Sequence, residues 1–259
     1  MSDVGTNGDS LHCHVVRLSD SVTIIRGDCR ACLPIEADAV ISDPPYGIAY
    51  FHSGGGGQAI KLLGGAVNTA RAKGFRGKDA MIHGDAQPFD PSPWLSFGIV
   101  ALFGANHYSD KLPKSAKWLI WDKIVVPETY GKFSFADCEM AWTNQKGTAR
   151  IYKHLWQGCR RAGESNKGGK LHPNRKPVEL MMWTMDQCGV PEGATVLDPY
   201  MGSGTTGIAC IRTGRNFIGI EIDAGHFETA RKRLENELRQ GVLPLEHNTA
   251  NTRDKWRTR

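Results

Sequence analysis

The sequence predicts an α/β fold with a doubly wound, mainly parallel sheet. Apolar runs of strand length alternate with helix-like stretches along most of the 259 residues, which is the pattern of such folds. Three predicted strands are followed by a carboxylate, namely Asp28, Asp43 and Asp198. Since ligands bind beyond the carboxyl ends of strands in open α/β sheets, these acids are candidate site residues. The length and a hydrophobic fraction of 40% suit one compact domain or two small ones.

The N-terminal elements follow from short apolar runs. Residues 1–20 are predicted to be a tail. The run SVTIIRG at 21–27 and the run ADAVIS at 37–42 have the length of strands, and the second stops at two prolines. A short helix is predicted between them, at 28–33. Residues 47–93 contain ten glycines and show no sustained hydrophobic periodicity of a helix or a strand. This indicates a mobile loop, which is either a functional lid or a disordered insertion.

The C-terminal half continues the alternation, within a domain that we place at 21–247. Its predicted strands lie at 98–105, 117–121, 138–143, 194–197 and 216–222. Its predicted helices lie at 178–187 and 224–240, and a further helix is predicted to run from a glycine turn to about residue 213. Residues 145–172 are predicted to be a basic insert in this domain. The polar and basic residues 248–259 are predicted to be a frayed tail.

Positive charge is concentrated in one part of the chain. The net charge is only +5, but residues 145–176 carry nine Lys or Arg against one acid, Glu164, so this segment has +8 and the rest −3. Such a run is either a solvated loop or a surface for a polyanion. The interleaved Tyr152, His154, Trp156 and His172 favour the surface, because aromatic rings beside Lys and Arg can stack on bases or wedge into a duplex. The candidate contacts are Lys146, Arg150, Lys153, Arg160, Arg161, Lys167 and Lys170.

Composition excludes two classes of protein. No run approaches the roughly 20 apolar residues that span a bilayer, and residues 1–10 have neither a basic start nor an apolar stretch, so we expect a cytoplasmic protein without a signal peptide. Seven scattered cysteines indicate free thiols rather than a disulfide framework. Cys29 and Cys32 form C-x-x-C, which we interpret as packed thiols, so no metal site is predicted.

A glycine-rich turn follows the strand at 194–197. LDPYMGSGTTG at 197–207 has the spacing G-x-G-x-x-G before a helix, and Glu221 ends the next strand. This pattern alone fits a dinucleotide equally well. Asp198, however, would repel a pyrophosphate and suits a cationic ligand, such as the ammonium of a methionine-type cofactor. The candidate contacts in this turn are Asp198, Pro199, Gly202, Ser203, Gly204, Thr205 and Thr206.

The sequence DPPY at 43–46 is more specific. Pro44 and Pro45 stiffen the backbone after Asp43 and hold the Pro44 carbonyl toward the cleft. The carboxylate and this carbonyl are two acceptors, which an exocyclic NH₂ group needs when its lone pair turns toward an electrophile. Tyr46 adds an aromatic face on which a base removed from its stack can rest. The alternative is a strand-terminating turn with a surface tyrosine.

Together these residues resemble the amino-directed DNA methyltransferases, which methylate adenine N6 or cytosine N4 with S-adenosylmethionine. The family's catalytic motif is D/N/S-P-P-Y/F and its cofactor motif is D-P-F/Y-x-G-S-G-T. Here the catalytic motif comes first, an order similar to the permuted β group of the family. The resemblance implies a Rossmann-like methyltransferase fold, with Asp28 facing the cofactor adenine, Glu221 on its ribose, and Lys176, in HPNRKPVEL at 172–180, beside the cofactor.

The permuted order implies that the helix at 224–240 leads next to the strand at 21–27, so that Asp43 and Asp198 end neighbouring strands. The implied partner is double-stranded DNA, with no membrane; a homodimer and a restriction partner are left open. The leading Asp and the Tyr of DPPY favour adenine over cytosine.

Three alternatives remain, namely an RNA or protein amide methyltransferase, a non-catalytic nucleic-acid binder on this scaffold, and a dinucleotide oxidoreductase. His107 and residues 135–139 are expected to line the cleft without a catalytic role.

Overall fold

The computed structural model of the protein describes residues 13–48, 50–51, 58–59, 84–115, 117–124, 136–157, 160–161 and 175–241. Its strands are β1 (His14–Arg17), β2 (Val22–Arg26), β3 (Ala39–Ser42), β4 (Tyr50–Phe51), β5 (Gln58–Ala59), β6 (Ile99–Phe103), β7 (Trp118–Asp122), β8 (Cys138–Thr143), β9 (Arg150–Lys153), β10 (Trp156–Gln157), β11 (Arg160–Arg161), β12 (Thr195–Asp198) and β13 (Asn216–Glu221). Its α-helices are α1 (Val178–Cys188), α2 (Thr205–Arg212) and α3 (Ala224–Gln240). Short 3₁₀ turns lie at Ser92–Trp94, Ala105–His107 and Ser109–Lys111.

Nine of the strands form one sheet in the order β1-β2-β13-β12-β3-β6-β8-β7-β9. All neighbours from β2 to β6 pair in parallel, whereas β1 runs antiparallel to β2, and β8 runs antiparallel to β6 and β7. The mainly parallel sheet predicted from the sequence is confirmed, and so is the α/β fold class. β4 pairs with β5 and β10 pairs with β11 outside this sheet.

The middle of the sheet contains the point at which the strand order reverses. β3 and β12 are parallel neighbours at this point. Within the sheet, the chain continues from β3 to β6 on one side of the pair and from β12 to β13 on the other side. The prediction that Asp43 and Asp198 follow or end neighbouring strands is therefore confirmed. β13 also lies beside β2 in parallel, as the permuted order predicts. In open α/β sheets such a reversal encloses a ligand crevice at the carboxyl ends of the strands.

Two hydrophobic clusters cover the two faces of the sheet. Successive residues of β3 alternate between them, since Val40 belongs to one cluster and Ile41 to the other. The Ile41 cluster includes the buried faces of α1, α2 and α3. The Val40 cluster is closed by aromatic side chains of loops and 3₁₀ turns, including Trp94 and Tyr108. Because both faces are covered, all four residues of β3 are buried, as its uninterrupted apolar sequence predicts.

The helices begin and end where the sequence supplies suitable residues. Asp223 caps α3 by accepting a hydrogen bond at Oδ1 from the backbone N of His226, at 2.8 Å. The buried residues of α3, Phe227, Ala230 and Leu234, recur every three or four positions and make one apolar stripe. α1 ends at Gly189, whose φ of 69° lies in the left-handed region that glycine adopts without strain.

The predicted strands and helices are largely confirmed. β8 and α3 have the predicted bounds, and β2, β3, β6, β7, β12, β13, α1 and α2 differ from prediction by one to three residues at an end. The helix predicted at 28–33 is wrong. Residues 29–32 form turns, in which Ala31 and Cys32 both donate to the carbonyl of Asp28. The following Pro34 disfavours a helical conformation at the residue before it, which stops a helix from forming.

The predicted N-terminal tail is wrong over His14–Arg17, because this segment pairs with β2 as strand β1 at one edge of the sheet. The antiparallel pairing returns Cys13 to the end of β2, where it forms a disulfide with Cys32 across a Cα–Cα distance of 5.8 Å. The expectation of seven thiols is therefore wrong for these two. Cys29, Cys138, Cys188 and Cys210 are free.

Several predictions lie largely outside the described residues, namely most of the 47–93 loop, 162–174 and the tail at 248–259, and the predicted domain bounds stay predictions. Within the described part of the chain, no helix combines the length and the apolar character that a membrane-spanning helix needs.

Candidate active site

Four neighbouring strands present a carboxylate at the same edge of the sheet. In the order of the sheet, β2 is followed after Gly27 by Asp28, β13 ends at Glu221, β12 ends at Asp198 and β3 is followed by Asp43. The two central acids are linked, since Oδ1 of Asp198 accepts a hydrogen bond of 2.6 Å from the hydroxyl of Ser42, the residue before Asp43. All four predicted acids are therefore brought to one edge.

The DPPY segment turns sharply at the end of β3. Oδ1 of Asp43 accepts a hydrogen bond of 2.5 Å from the phenol of Tyr46, three residues later. The Tyr46 ring stacks on His107 at a centroid distance of 5.3 Å. The backbone N of Gly47 donates to Asp85 at 2.8 Å, which holds the end of the turn. The aromatic ring and the carboxylate predicted to serve one substrate are thus held side by side.

Lys176 lies against Asp43 and joins it to a second carboxylate. Its Nζ donates to Oδ2 of Asp43 at 2.5 Å and lies 2.9 Å from Oε2 of Glu139 on β8. Lys123, directly after β7, donates to Oε1 of Glu139 at 3.0 Å. Lys176 is 8% exposed in its side chain. The residue assigned to the cofactor by resemblance therefore contacts the carboxylate of DPPY, and a cofactor contact for it stays a prediction.

The ionisation of this cluster follows from burial and from its two ammonium groups. Burial would lower the pKa of Lys176, but Asp43 and Glu139 outweigh burial and raise it. Burial raises the pKa of Asp43, against the opposing effect of Lys176. Burial also favours the neutral form of Glu139, but Lys176 and Lys123 outweigh it and lower the pKa of Glu139 to about 2. Burial and the nearby Asp43 raise the pKa of Tyr46, so its phenol keeps the proton that it donates.

The glycine-rich turn is built around Asp198. Its Oδ2 accepts a hydrogen bond of 2.6 Å from the hydroxyl of Thr206, and its Oδ1 accepts one from the backbone N of Tyr200 at 3.2 Å. Burial raises the pKa of Asp198 to about 6, although these donors oppose the shift. Asp198 therefore holds the turn to β3 in this structure, and its contact with a cofactor ammonium stays a prediction.

Glu221 ties the same turn to the end of β13. Its Oε2 accepts from the backbone N of Gly202 at 2.9 Å and its Oε1 accepts from the backbone N of Asp223 at 2.8 Å. Gly202 and Gly204 both have positive φ, at 52° and 79°, which explains the need for glycine in this turn. A short side chain at either position would be strained.

The turn has features that suit a nucleoside cofactor with a methionine-type chain. The hydroxyl of Thr205, at the first residue of α2, is buried and receives no hydrogen bond from the described residues. Asp28 follows β2 and Glu221 ends the neighbouring strand β13, and carboxylates at this edge can accept from ribose hydroxyls and from an amino group. Pro199 and Ser203 complete the predicted segment, and Ser203 accepts from Arg233 at 2.9 Å. The residues present therefore fit such a cofactor.

The predicted basic surface is only partly described. Lys146, Arg150 and Lys153 are exposed, and the last two lie on β9 at the edge of the sheet. Arg160 and Arg161 form strand β11, whereas Lys167 and Lys170 lie outside the described residues. The three described lysine and arginine side chains remain candidates for contacts with a polyanion.

The predicted role of Tyr152 and Trp156 in stacking on bases is wrong. Tyr152 is buried and stacks on Trp183 of α1 at a centroid distance of 5.2 Å. Trp156 is also buried and packs edge-on against Trp121 of β7. Within β9 only Tyr152 is buried, whereas Arg150, Ile151 and Lys153 are exposed. The aromatic residues of the basic segment thus anchor it to the sheet.

Sequence reasoning missed the contacts that Glu139 and Lys123 make in the site. Glu139 falls in the stretch 135–139 that was expected to line the cleft, but no pattern connects it with Lys176, which lies 37 residues later. The described residues contain no group of three or more His, Cys, Asp or Glu side chains placed to hold a metal ion.

Comparison with known proteins identifies similar sequences. A family model described as DNA methylase matches residues 104–232. Type II methyltransferase M2.DpnII of Streptococcus pneumoniae is 41% identical over 85 residues, which are 33% of this chain and 31% of that protein. Type II methyltransferase M2.LlaDCHI of Lactococcus lactis subsp. cremoris is 36% identical over 90 residues, 35% of this chain and 33% of that protein. The matches thus span about a third of these curated relatives.

Two solved structures are similar at low identity. The crystal structure of the M1.HpyAVI-SAM complex is 22% identical with a TM-score of 0.45, covering 82% of this chain and 98% of that one. PvuII DNA methyltransferase (cytosine-N4-specific) is 11% identical with a TM-score of 0.47, covering 86% of this chain and 93% of that one.

Proposed function

Because this chain belongs to the amino-directed (N6/N4) DNA methyltransferases, we propose that it transfers a methyl group from S-adenosylmethionine to the N6 amino group of adenine in double-stranded DNA. The observation that carries the proposal is the position of Asp43 and Tyr46, which are hydrogen-bonded at the end of β3 beside the Asp198 turn. An acceptor and an aromatic ring at the point where the strand order reverses are what a flipped base needs.

The residues that would hold the cofactor line the edge formed by β2, β13 and β12. Glu221 would accept from the ribose hydroxyls, Asp28 would face the adenine, and the Thr205 hydroxyl would donate to the cofactor carboxylate. When bound, S-adenosylmethionine supplies an electrophilic methyl group on a sulfonium. The negative charge of the carboxylates on this edge favours a cationic ligand over a pyrophosphate.

Asp43 and the Pro44 carbonyl would orient the target amino group. Each accepts one N–H of the amino group, so the nitrogen lone pair is turned toward the methyl carbon as the nitrogen becomes tetrahedral. With the cofactor bound, the methyl group would pass from its sulfur to the amino nitrogen, which would then lose a proton. Asp43 would be an acceptor for that proton, and burial raises its pKa. Tyr46 supports the face of the base next to this carboxylate.

Adenine is preferred to cytosine because DPPY begins with Asp, whereas the cytosine enzymes of the resembled family more often begin with Ser. Methylation of cytosine N4 is the runner-up. An RNA or protein substrate is a further alternative. These substrates are distinguished by incubating the purified chain and labelled S-adenosylmethionine with separate samples of unmethylated duplex DNA, RNA and protein. The proposal requires label in DNA. Label only in RNA or protein would reject it.

The exposed basic residues on β9 are proposed to grip the DNA backbone. Arg150→Ala with Lys153→Ala should then make the log–log dependence of DNA affinity on salt shallower by up to about 2 units, because each phosphate neutralised contributes about −0.9. Fluorescence anisotropy at several salt concentrations measures this slope. Arg160 and Arg161 are proposed as further contacts. Replacing both of them with alanine and measuring the salt dependence in the same way tests this.

A matched control for the β9 variant removes two exposed charges elsewhere. Arg17 lies on β1 at the opposite edge of the sheet, and Lys232 lies on α3. Arg17→Ala with Lys232→Ala should keep the wild-type slope. If the β9 variant also keeps it, the basic segment is a solvated face and DNA is bound elsewhere.

Gly104 is predicted to position Tyr46. Its φ is 68°, and a Cβ at this position would overlap the ring of Tyr46. Gly104→Ala should therefore displace the ring and lower the rate of methyl transfer by about 10- to 100-fold, the effect expected of a misplaced substrate support. Gly193→Ala is the control, because Gly193 has a φ of 77° but nothing within 4 Å of a Cβ. Equal rates for both alanine variants would show that Tyr46 does not need this glycine.

A further inference from the structure

Glu139 is a carboxylate of the site that has no role in the reaction as proposed. It lies on β8, next to Lys123 of the β7 end, and its side chain is one-quarter exposed. Lys123 holds Oε1 at 3.0 Å, so the carboxylate is fixed from one side. The other oxygen, Oε2, faces Lys176 at 2.9 Å. Glu139 is thus oriented toward the lysine that contacts Asp43.

Both oxygens of Asp43 already have a donor in this structure. Tyr46 donates to Oδ1 and the ammonium of Lys176 donates to Oδ2, each at 2.5 Å. A target amino group presents N–H donors, which an ammonium on the same oxygen repels. The base therefore needs Lys176 to move away from Oδ2 before Asp43 can orient the amino group.

The displaced ammonium must keep a charged partner. Lys176 is almost fully buried, and an unpaired charge there would be strongly destabilising. Nζ already lies 2.9 Å from Oε2 of Glu139, so this carboxylate can keep the ammonium paired when it leaves Oδ2 of Asp43. The Phe103 ring lies 5.5 Å from Nζ in the structure and offers the ammonium a second favourable contact.

We propose that Glu139 is a positioning residue that takes over the ammonium of Lys176 when the target amino group occupies Oδ2 of Asp43. Glu139 acts through Lys176 and does not touch the base. The inference rests on the proposed function, since it assigns the release of Asp43 for that same reaction. In this proposal Lys123 holds Glu139 in place through its ion pair with Oε1.

A double-mutant cycle tests this exchange. Glu139→Gln keeps the shape of the side chain and an acceptor for Lys123 but lacks the charge that stabilises the relocated ammonium. We expect it to lower kcat about tenfold, with little change in KM for S-adenosylmethionine. In a Lys176→Met background there is no ammonium to relocate, so the same replacement should change kcat by less than about twofold. Glu139→Asp, which keeps the charge, should recover part of the loss.

The pH profile supplies a second readout that a purely structural role would not move. Among the described residues, the titratable or charged groups around Asp43 are Tyr46 in its own turn, Asp85, His107 and Tyr108, Lys123, Glu139, Lys176 and Asp198. Transfer needs Asp43 ionised, so activity falls as the pH drops through its pKa. The charge of Glu139 raises that pKa and the charge of Lys176 lowers it. Glu139→Gln should therefore move the acidic limb to lower pH, and Lys176→Met should move it to higher pH.

The outcomes separate this inference from the function on which it rests. Glu237→Gln, which alters an ion pair with Arg212 between α2 and α3, is the matched control and should behave as wild type. If the wild type transfers methyl groups but Glu139→Gln lowers kcat equally in both backgrounds, the inference alone is overturned. The same holds if the acidic limbs of the pH profiles do not move. An absence of transfer by the wild type would overturn the proposed function and this inference with it. Circular dichroism and cofactor titration identify a variant that has not folded. If Glu139→Gln does not fold, Glu139→Asp carries the test, since its shorter side chain should lower kcat in the wild-type background and change it by less than about twofold in the Lys176→Met background.

Discussion

Replacing Asp43 with alanine is expected to lower the rate of methyl transfer by at least about 10² to 10³, the loss typical of a removed, positioned hydrogen-bonding group in an active site. The variant loses the acceptor that orients the target amino group, and it leaves Lys176 with Glu139 as its remaining acidic partner. Affinity for S-adenosylmethionine should stay within a few-fold, because the side chain of Asp43 makes no hydrogen bond to the glycine-rich turn among those described. Single-turnover transfer and calorimetric titration measure the two quantities.

The control for this variant is Asp110→Ala. Asp110 is exposed in a 3₁₀ turn after β6, and its loss should leave transfer unchanged. Substantial transfer by Asp43→Ala, within tenfold of wild type, would mean that another group orients the amino nitrogen. The assignment of the DPPY segment as the catalytic loop would then fail.

Replacing Glu221 with alanine is expected to weaken the binding of S-adenosylmethionine by about 10- to 100-fold, because a hydrogen bond to a charged group contributes roughly 1.5 to 3 kcal/mol. The same change removes the acceptor of the backbone N of Gly202, so the turn itself also loosens. Isothermal titration gives the affinity. Glu221→Gln separates the two effects, since the amide keeps an acceptor for Gly202 without the charge.

Glu228→Ala is the matched control for Glu221. Glu228 is exposed on α3 and pairs with Arg231 there, away from the turn. Its replacement should not alter cofactor affinity. An affinity of Glu221→Ala equal to that of this control would place the cofactor pocket elsewhere. Asp198→Ala is expected to weaken binding as well, mainly because Ser42 and Thr206 lose their common acceptor.

Local sequence patterns were sufficient for the parts of the fold that depend on burial. β3 and β12 are short apolar runs that end at a carboxylate, and both become central strands whose side chains are mostly buried. The glycine-rich spacing at 202–207 predicts a turn before a helix, and the structure has that turn, with positive φ at Gly202 and Gly204. These features are set by the residue types within each segment, so they are visible before any contact between segments is known.

The features that sequence reasoning missed depend on contacts between distant segments. Strand β1 exists because its four residues pair with β2, and it has no apolar run of its own. The ion pair between Lys176 and Asp43 joins residues separated by 133 positions. Tyr152 was expected at a polyanion surface because charges surround it, but it stacks on Trp183 of α1, 31 residues later, and is buried. Charge composition alone does not show which side chains of an edge strand a helix covers.

The most direct test of the central claim is the identity of the methylated nucleoside. The purified chain is incubated with labelled S-adenosylmethionine and unmethylated duplex DNA of mixed sequence, and the DNA is then digested and its nucleosides are separated. We expect the label in N6-methyldeoxyadenosine, and we expect Asp43→Ala to abolish it. Label in N4-methylcytosine would overturn the preference for adenine, and label on a ring carbon, or none in DNA, would contradict an amino-directed DNA methyltransferase.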